Sequence, residues 1–202
     1  MVSGKKSIIG YAQADFKTMI TDNRLYIDRT AFLETMENHS NTNLVLVRPR
    51  RFGKSLWLSV LHYYYGLEHK DKFNTLFGHL AVGKNPTPLH NTFMILRMQF
   101  AGIDVETDAA TFSGFRANVR SALAVCMSVY SDCFSVAEKK QVETIETPAD
   151  MIQTFFELYK SKKIPHPLYI LIDEYDQFAN ELRGLDFDRF QSVVGLSASF
   201  MK

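Results

Sequence analysis

Residues 47–58 read VRPRRFGKSLWL, and the fold turns on how that stretch is understood. Gly53, Lys54 and Ser55 fill the last three places of the phosphate-loop pattern G-x-x-x-x-G-K-[ST]. Arg48 stands where the first glycine belongs. Upstream, NTNLVLV (41–47) is a short apolar run with β-branched members, which predicts a buried strand. Downstream, KSLWLSVLHYYYG (54–66) is apolar nearly all round, which predicts a helix clamped between layers and stopped by Gly66. A loop running from a strand into a helix presents the opening N–H groups of that helix, and its dipole, to an anion. The expected donors are the amides of Arg51, Phe52, Gly53, Lys54 and Ser55, with Leu56 the last of the nucleotide-binding candidates. Lys54 is expected on the β- and γ-phosphates and the Ser55 hydroxyl on Mg²⁺. Pro49 lacks an N–H but lies upstream of these donors. The Cβ of Arg48 alters the first bend of the loop without removing a donor.

Three apolar runs predict strands: 41–47, TFMILRMQF (92–100) and the first part of LYILIDEYD (168–176). Before, between and after them, 28–38, 54–66, 109–130, 135–145, 147–162 and 187–202 read as helices, with Asp28 or Thr30 as candidate cap for the first. Pro148 sits where a first helical turn tolerates it. Prolines mark 85–91 as a loop. Strands separated by helices imply a parallel sheet covered on both faces, with ligands at the carboxyl ends of the strands. Both chemically suggestive segments, 48–55 and 173–176, fall at such ends. Asp173 would hold Mg²⁺ through its water shell, and Glu174 would orient or deprotonate an attacking water. The blander account is a strand that ends in solvated acids. Asp176 reads as a cap or turn residue, Arg97 as a paired arginine, and Tyr63, Tyr64 and Tyr65 as packing groups.

Composition narrows the class. A chain of 202 residues with 46% hydrophobic and 22% charged residues can bury a core. The formal charge of +1 carries no argument for nucleic acid. No run of about 18 apolar residues is present, so no membrane span is expected. The opening segment has too short an apolar run for a secretory signal. Cys126 and Cys133, seven apart, are expected on one helix face as reduced thiols, and the compartment as cytoplasmic. The six histidines are scattered and suggest no metal site.

Taken together, IIGYAQADFKTM, LYIDRTAFLETM, VRPRRFGKSLWLSVLHYYYG and LYILIDEYD resemble the AAA-ATPase-like family, a P-loop branch often fused to a PD-(D/E)xK nuclease-like domain. In that family Arg-Pro-Arg-Arg-Phe-Gly-Lys-Ser is the ordinary form of the loop, so the resemblance makes Arg48 normal. It implies ATP as ligand and Mg²⁺ as cofactor. It places Lys54 on phosphate, Ser55 and Asp173 on the metal (Walker A and Walker B roles), and Glu174 as the catalytic acid that activates water. The implied fold is α/β: a three-layer, P-loop NTPase-like parallel sheet with flanking helices. Residues 1–40 would form a lead segment and helix, and 41–202 an incomplete, C-terminally truncated core. The truncation is expected because the chain stops before the family's sensor strand, helical lid and nuclease-like domain. Expected partners are the nucleotide and a homo-oligomer or protein partner, with no nucleic acid for this chain alone. Three functions stay open at this stage: ATP hydrolysis in the complete protein, a nucleotide-binding regulatory module, or a fragment without turnover.

Overall fold

The computed structural model describes residues 13–39, 43–49, 51–104 and 106–174. The chain divides into two compact units, one up to Met94 and one from Ile95.

The first unit is helical. Helix α1 (Phe16–Thr21) is capped by Asp15, whose carboxylate accepts the Thr18 amide. Short helix α2 spans Phe32–Glu37, and α3 spans Lys54–Tyr65. A 3₁₀ segment (Leu67–Lys72) leads into α4 (Phe73–Phe77) and α5 (Ala81–Lys84). Phe16, Leu33, Val60, Tyr64, Leu76 and Phe77 are almost wholly buried and form the core. Tyr64 and Tyr65 pack as their sequence context suggests, yet each hydroxyl also has a partner, as buried tyrosines generally require. The Tyr64 hydroxyl accepts the Thr87 amide at 2.9 Å, and the Tyr65 hydroxyl donates to Glu37 at 2.8 Å.

Helix α3 stops where the sequence indicates, but by another route. Gly66 has φ −66° and ψ 125°, extended rather than left-handed. The last carbonyls of a helix need donors from elsewhere. Buried Asn91 supplies them: its amide N–H reaches the Tyr64 carbonyl at 2.8 Å, and its side chain reaches the Gly66 carbonyl at 2.7 Å. Glycine is required at 66 for close approach. A Cβ there would meet the His62 carbonyl at 2.7 Å and the Glu68 carboxylate at 2.9 Å.

Two expectations for this unit are corrected. Residues 43–49 are not a strand, and Leu44, Val45 and Val47 are exposed, Val47 by 82%. β-branched composition favours an extended backbone, but a strand exists only through its ladder partner. Nor does Asp28 cap α2, which begins after Ala31 without a side-chain cap. Asp28 instead accepts the Thr30 amide at 2.8 Å and hydroxyl at 2.7 Å, and the Ala81 amide at 2.7 Å. The Thr30 hydroxyl in turn accepts the Val82 amide. The Asp-Arg-Thr triplet therefore anchors the lead segment to the start of α5. Burial pushes the Asp28 carboxyl up, but the Thr30 and Ala81 hydrogen bonds outweigh it and hold it below the usual carboxylate range.

The second unit follows its local signals closely. Strand β1 (Met94–Gln99) and strand β2 (Leu168–Asp173) form a parallel two-stranded sheet. Three helices lie between them: α6 (Asp108–Val129), α7 (Val136–Glu143) and α8 (Pro148–Ser161). Each carries a side-chain N-cap, from Thr107, Ser135 and Thr147 respectively, and Pro148 occupies the first turn of α8. Leu123, Met127, Met151, Phe155 and Leu96 are buried. The two cysteines do not share a helix. Cys126 is buried in α6 and Cys133 lies past its end, where Tyr130 has closed the helix; both are free thiols.

The architecture is thus α/β, with a small parallel sheet and flanking helices. It is compatible with a P-loop-like fold, whereas the expected three-strand, three-layer arrangement reduces to two strands among the described residues. The expected helix 187–202 and Asp176 lie outside the described residues.

Candidate functional site

In the first unit, the loop that opens α3 has the backbone of an anion cradle. Arg51 (φ 67°) and Gly53 (φ 78°, ψ 25°) are both left-handed. Alternating left- and right-handed residues turn successive amides toward one side, forming a concavity that binds anions. For Gly53 the conformation, not space, calls for glycine, since nothing lies within 4 Å of where a Cβ would sit. The first rung of the helix runs from the Trp57 amide to the Gly53 carbonyl at 2.9 Å. The amides of Lys54, Ser55 and Leu56 therefore precede the helical ladder, and no side chain caps this end. Arg51, Phe52 and Gly53 are exposed, Phe52 by 64%, while Lys54, Ser55 and Leu56 are half-buried.

A cavity of about 310 Å³ opens beside this loop. Gly53, Leu56 and Trp57 form one wall, and Tyr26, Ile27 and Arg29 of the lead segment form another. A neighbouring hollow of about 440 Å³ shares Arg29, Arg48 and Trp57 and adds Phe32. The first volume lies at the lower end of the range for small-molecule sites. Its walls combine aromatic and aliphatic surface with two arginines, Arg29 and Arg48. Burial pushes the Tyr26 phenol well above its usual range, so it presents a neutral ring. Trp57 was not singled out by the sequence pattern, whereas the family resemblance puts Tyr26 to Thr30 near the base without giving any of them a contact. The signal was present only as a tyrosine and an Asp-Arg-Thr triplet in the lead segment, and the contact between that segment and α3 is tertiary.

In the second unit, Asp173 ends β2 with its side chain only 4% exposed. Its backbone carbonyl accepts the Phe100 amide at 3.1 Å, which fixes the strand tip. One carboxylate oxygen accepts the Glu174 amide at 3.1 Å, and the other lies 3.9 Å from the Arg97 guanidinium. Arg97 is thus a paired arginine. Glu174 is left-handed (φ 53°), so the chain turns out of the strand at the acid itself. The loop candidates accordingly belong to the first unit and the two acids to the second.

A small parallel sheet with flanking helices, and a glycine-opened helix at a phosphate-loop sequence, are compatible with a P-loop-like fold. A family model described as a predicted AAA-ATPase matches residues 10–202, and the chain belongs to this AAA-ATPase-like family. No curated protein and no solved structure matches it. Among the described residues, no helix is long and apolar enough to cross a membrane.

Proposed function

We propose that this chain binds ATP and hydrolyses it with Mg²⁺. The observation that carries the reading is the cavity that joins Gly53 and Trp57 to Tyr26 and Ile27. A base and ribose need a partly apolar, partly aromatic wall within reach of the phosphate cradle, and this cavity offers both in one unit. Gly53, Lys54, Ser55 and Leu56 would donate amides to phosphate oxygens, and the Lys54 ammonium would neutralise the β- and γ-phosphates. Arg51 and Phe52 would complete the loop around them.

Each unit offers an oxygen that suits the metal. The Ser55 hydroxyl in the first and the Asp173 carboxylate in the second are each hard ligands of the kind Mg²⁺ prefers. A buried carboxylate also favours a nearby cation strongly, because ionised oxygen is costly to bury otherwise. When bound, Mg²⁺ would neutralise charge that develops on the phosphates. Glu174 would accept the proton of the attacking water. Arg97 would hold Asp173 in place in the absence of nucleotide.

A second reading, binding without turnover, draws on that same Arg97. A guanidinium beside Asp173 competes with a metal ion for the carboxylate.

Trp57 is the single tryptophan of the chain and lines the cavity, so its fluorescence reports occupancy directly. ATP is expected to change its emission saturably. Tyr26→Ala is expected to weaken ATP while leaving inorganic tripolyphosphate binding unaltered; equal weakening of both ligands would remove the base from this cavity. Glu174→Gln should keep ATP binding and abolish phosphate release. Unchanged release would take the catalytic role from Glu174.

A further inference from the structure

The far end of α3 carries a second cluster that the ATP reading leaves unused. We infer that His62, Glu68 and His69 form a site for a borderline divalent transition ion of the zinc type, with three protein ligands and one position left to solvent.

The residues are brought together by the way α3 ends. His62 lies in the last turn of α3, and Glu68 and His69 lie in the 3₁₀ segment beyond Gly66. Extended Gly66 folds the chain back, so Glu68 and His69, six and seven positions after His62, return over it. Sequence spacing hides this, because His-x₅-Glu-His is no regular helical or turn pattern of ligands.

The three candidate ligand atoms form a tight triangle. Nε2 of His62 lies 2.9 Å from Nε2 of His69. Glu68 Oε1 lies 3.5 Å from His69 Nε2 and 3.9 Å from His62 Nε2. The circle through the corners of a triangle with sides 2.9, 3.5 and 3.9 Å has a radius of about 2.0 Å, so a point exists about 2.0 Å from all three atoms. Zinc–imidazole and zinc–carboxylate bonds are about 2.0–2.2 Å long. Two imidazole nitrogens facing each other this closely must share a proton or an ion.

The surroundings hold that geometry. The Tyr63 ring packs against His69 at 4.5 Å and His62 at 5.2 Å between centroids. The Glu68 carboxylate rests in the space left by Gly66, where a Cβ would come within 2.9 Å of both its oxygens. Side-chain exposures of 24%, 20% and 12% for His62, Glu68 and His69 leave the cluster partly dehydrated yet open on one side. Two imidazoles and one carboxylate favour zinc, copper or nickel over magnesium or calcium. The site is therefore chemically distinct from the oxygen ligands proposed for the nucleotide's metal. A bound ion would staple the end of α3 to the segment that follows it.

The test uses the full chain, stripped with a chelator and titrated with zinc in calorimetry and with cobalt in absorption spectroscopy. The expected result is one ion per chain, not displaced by excess magnesium, with zinc raising the thermal midpoint. Glu68→Gln and His69→Gln should each weaken zinc by at least about tenfold, and Gly66→Ala should weaken it by displacing the carboxylate. Should these variants fail to fold, X-ray absorption on the wild-type zinc complex decides. Two imidazoles in the first shell support the site, and their absence overturns it. No saturable uptake, unchanged affinity in the His62→Gln/His69→Gln double variant, or a thiolate-to-cobalt charge-transfer band would also overturn it.

Discussion

The two units of this chain reach their structures by different means, and the contrast explains what each contributes. In the second unit, short-range rules set the bounds of the helices, although the buried Ile95 amide also reaches the Tyr130 hydroxyl at 2.7 Å. Thr107, Ser135 and Thr147 cap the helices that follow them, and Ser135 with Glu138 makes a reciprocal capping box. In the first unit, polar groups far apart in sequence set the fold. Asp28 reaches Ala81, Tyr64 reaches Thr87, and the Ser59 hydroxyl accepts the Phe16 amide at 2.9 Å. Asp15 shows the same habit. Burial pushes its carboxyl up, but hydrogen bonds from Thr18, Tyr63 and Ser59 hold it below the usual range. A unit braced by long-range hydrogen bonds can present an exposed loop in strained backbone, because the rest of the unit over-determines it.

The contrast can be broken or sharpened by substitution. The largest effect belongs to the apolar core of the second unit. Phe155 is fully buried in α8, and Phe155→Ala should cost about 3–5 kcal/mol in denaturant unfolding. A loss below about 1 kcal/mol would mean that this unit is not built around α8. Next comes the polar bracing of the first unit. Tyr64→Phe removes the acceptor for the buried Thr87 amide and should cost about 1–3 kcal/mol. A neutral result would show that apolar packing alone holds this unit, erasing the contrast. Thr147→Ala removes one local cap and should cost about 1 kcal/mol.

The smallest effect is a titration. Lys162 at 2.9 Å, followed by the Ser135 amide and hydroxyl, holds the Glu138 carboxyl down at about 2. A depressed carboxyl stabilises the fold above its unfolded value of about 4.3, and that contribution is lost as pH falls through about 2. The NMR titration of Glu138 should therefore have its midpoint near the lower value. A midpoint near 4.3 would show that the capping box and the Lys162 pair do not persist in solution.

Much of the second unit could be read from residues alone, because a cap, an apolar period or a proline acts within one turn. β1, α6, α7, α8 and β2 all fall within a few residues of their expected bounds. The Gly53 opening of α3 was legible as a glycine that lets the backbone come close to an anion, while its left-handed angle was not. The run at 43–47 was not: its composition suits a strand, but pairing is a property of two segments and cannot be seen in one. Helices α1, α4 and α5 are four to six residues long, too short to leave a periodic signal. The cavity contacts of Tyr26 and the His62–Glu68–His69 cluster escaped notice because backbone turns bring distant or irregularly spaced residues together.

The central claim is that the loop opening α3 holds the phosphates of ATP. Calorimetric titration of Mg·ATP into the full chain and into Lys54→Ala tests it most directly. Loss of the ammonium should weaken binding by about tenfold to a hundredfold, matching a charged contact worth about 1.5–3 kcal/mol, with circular dichroism unchanged. Equal affinity in the two proteins, or no binding to the wild-type chain, would contradict the account.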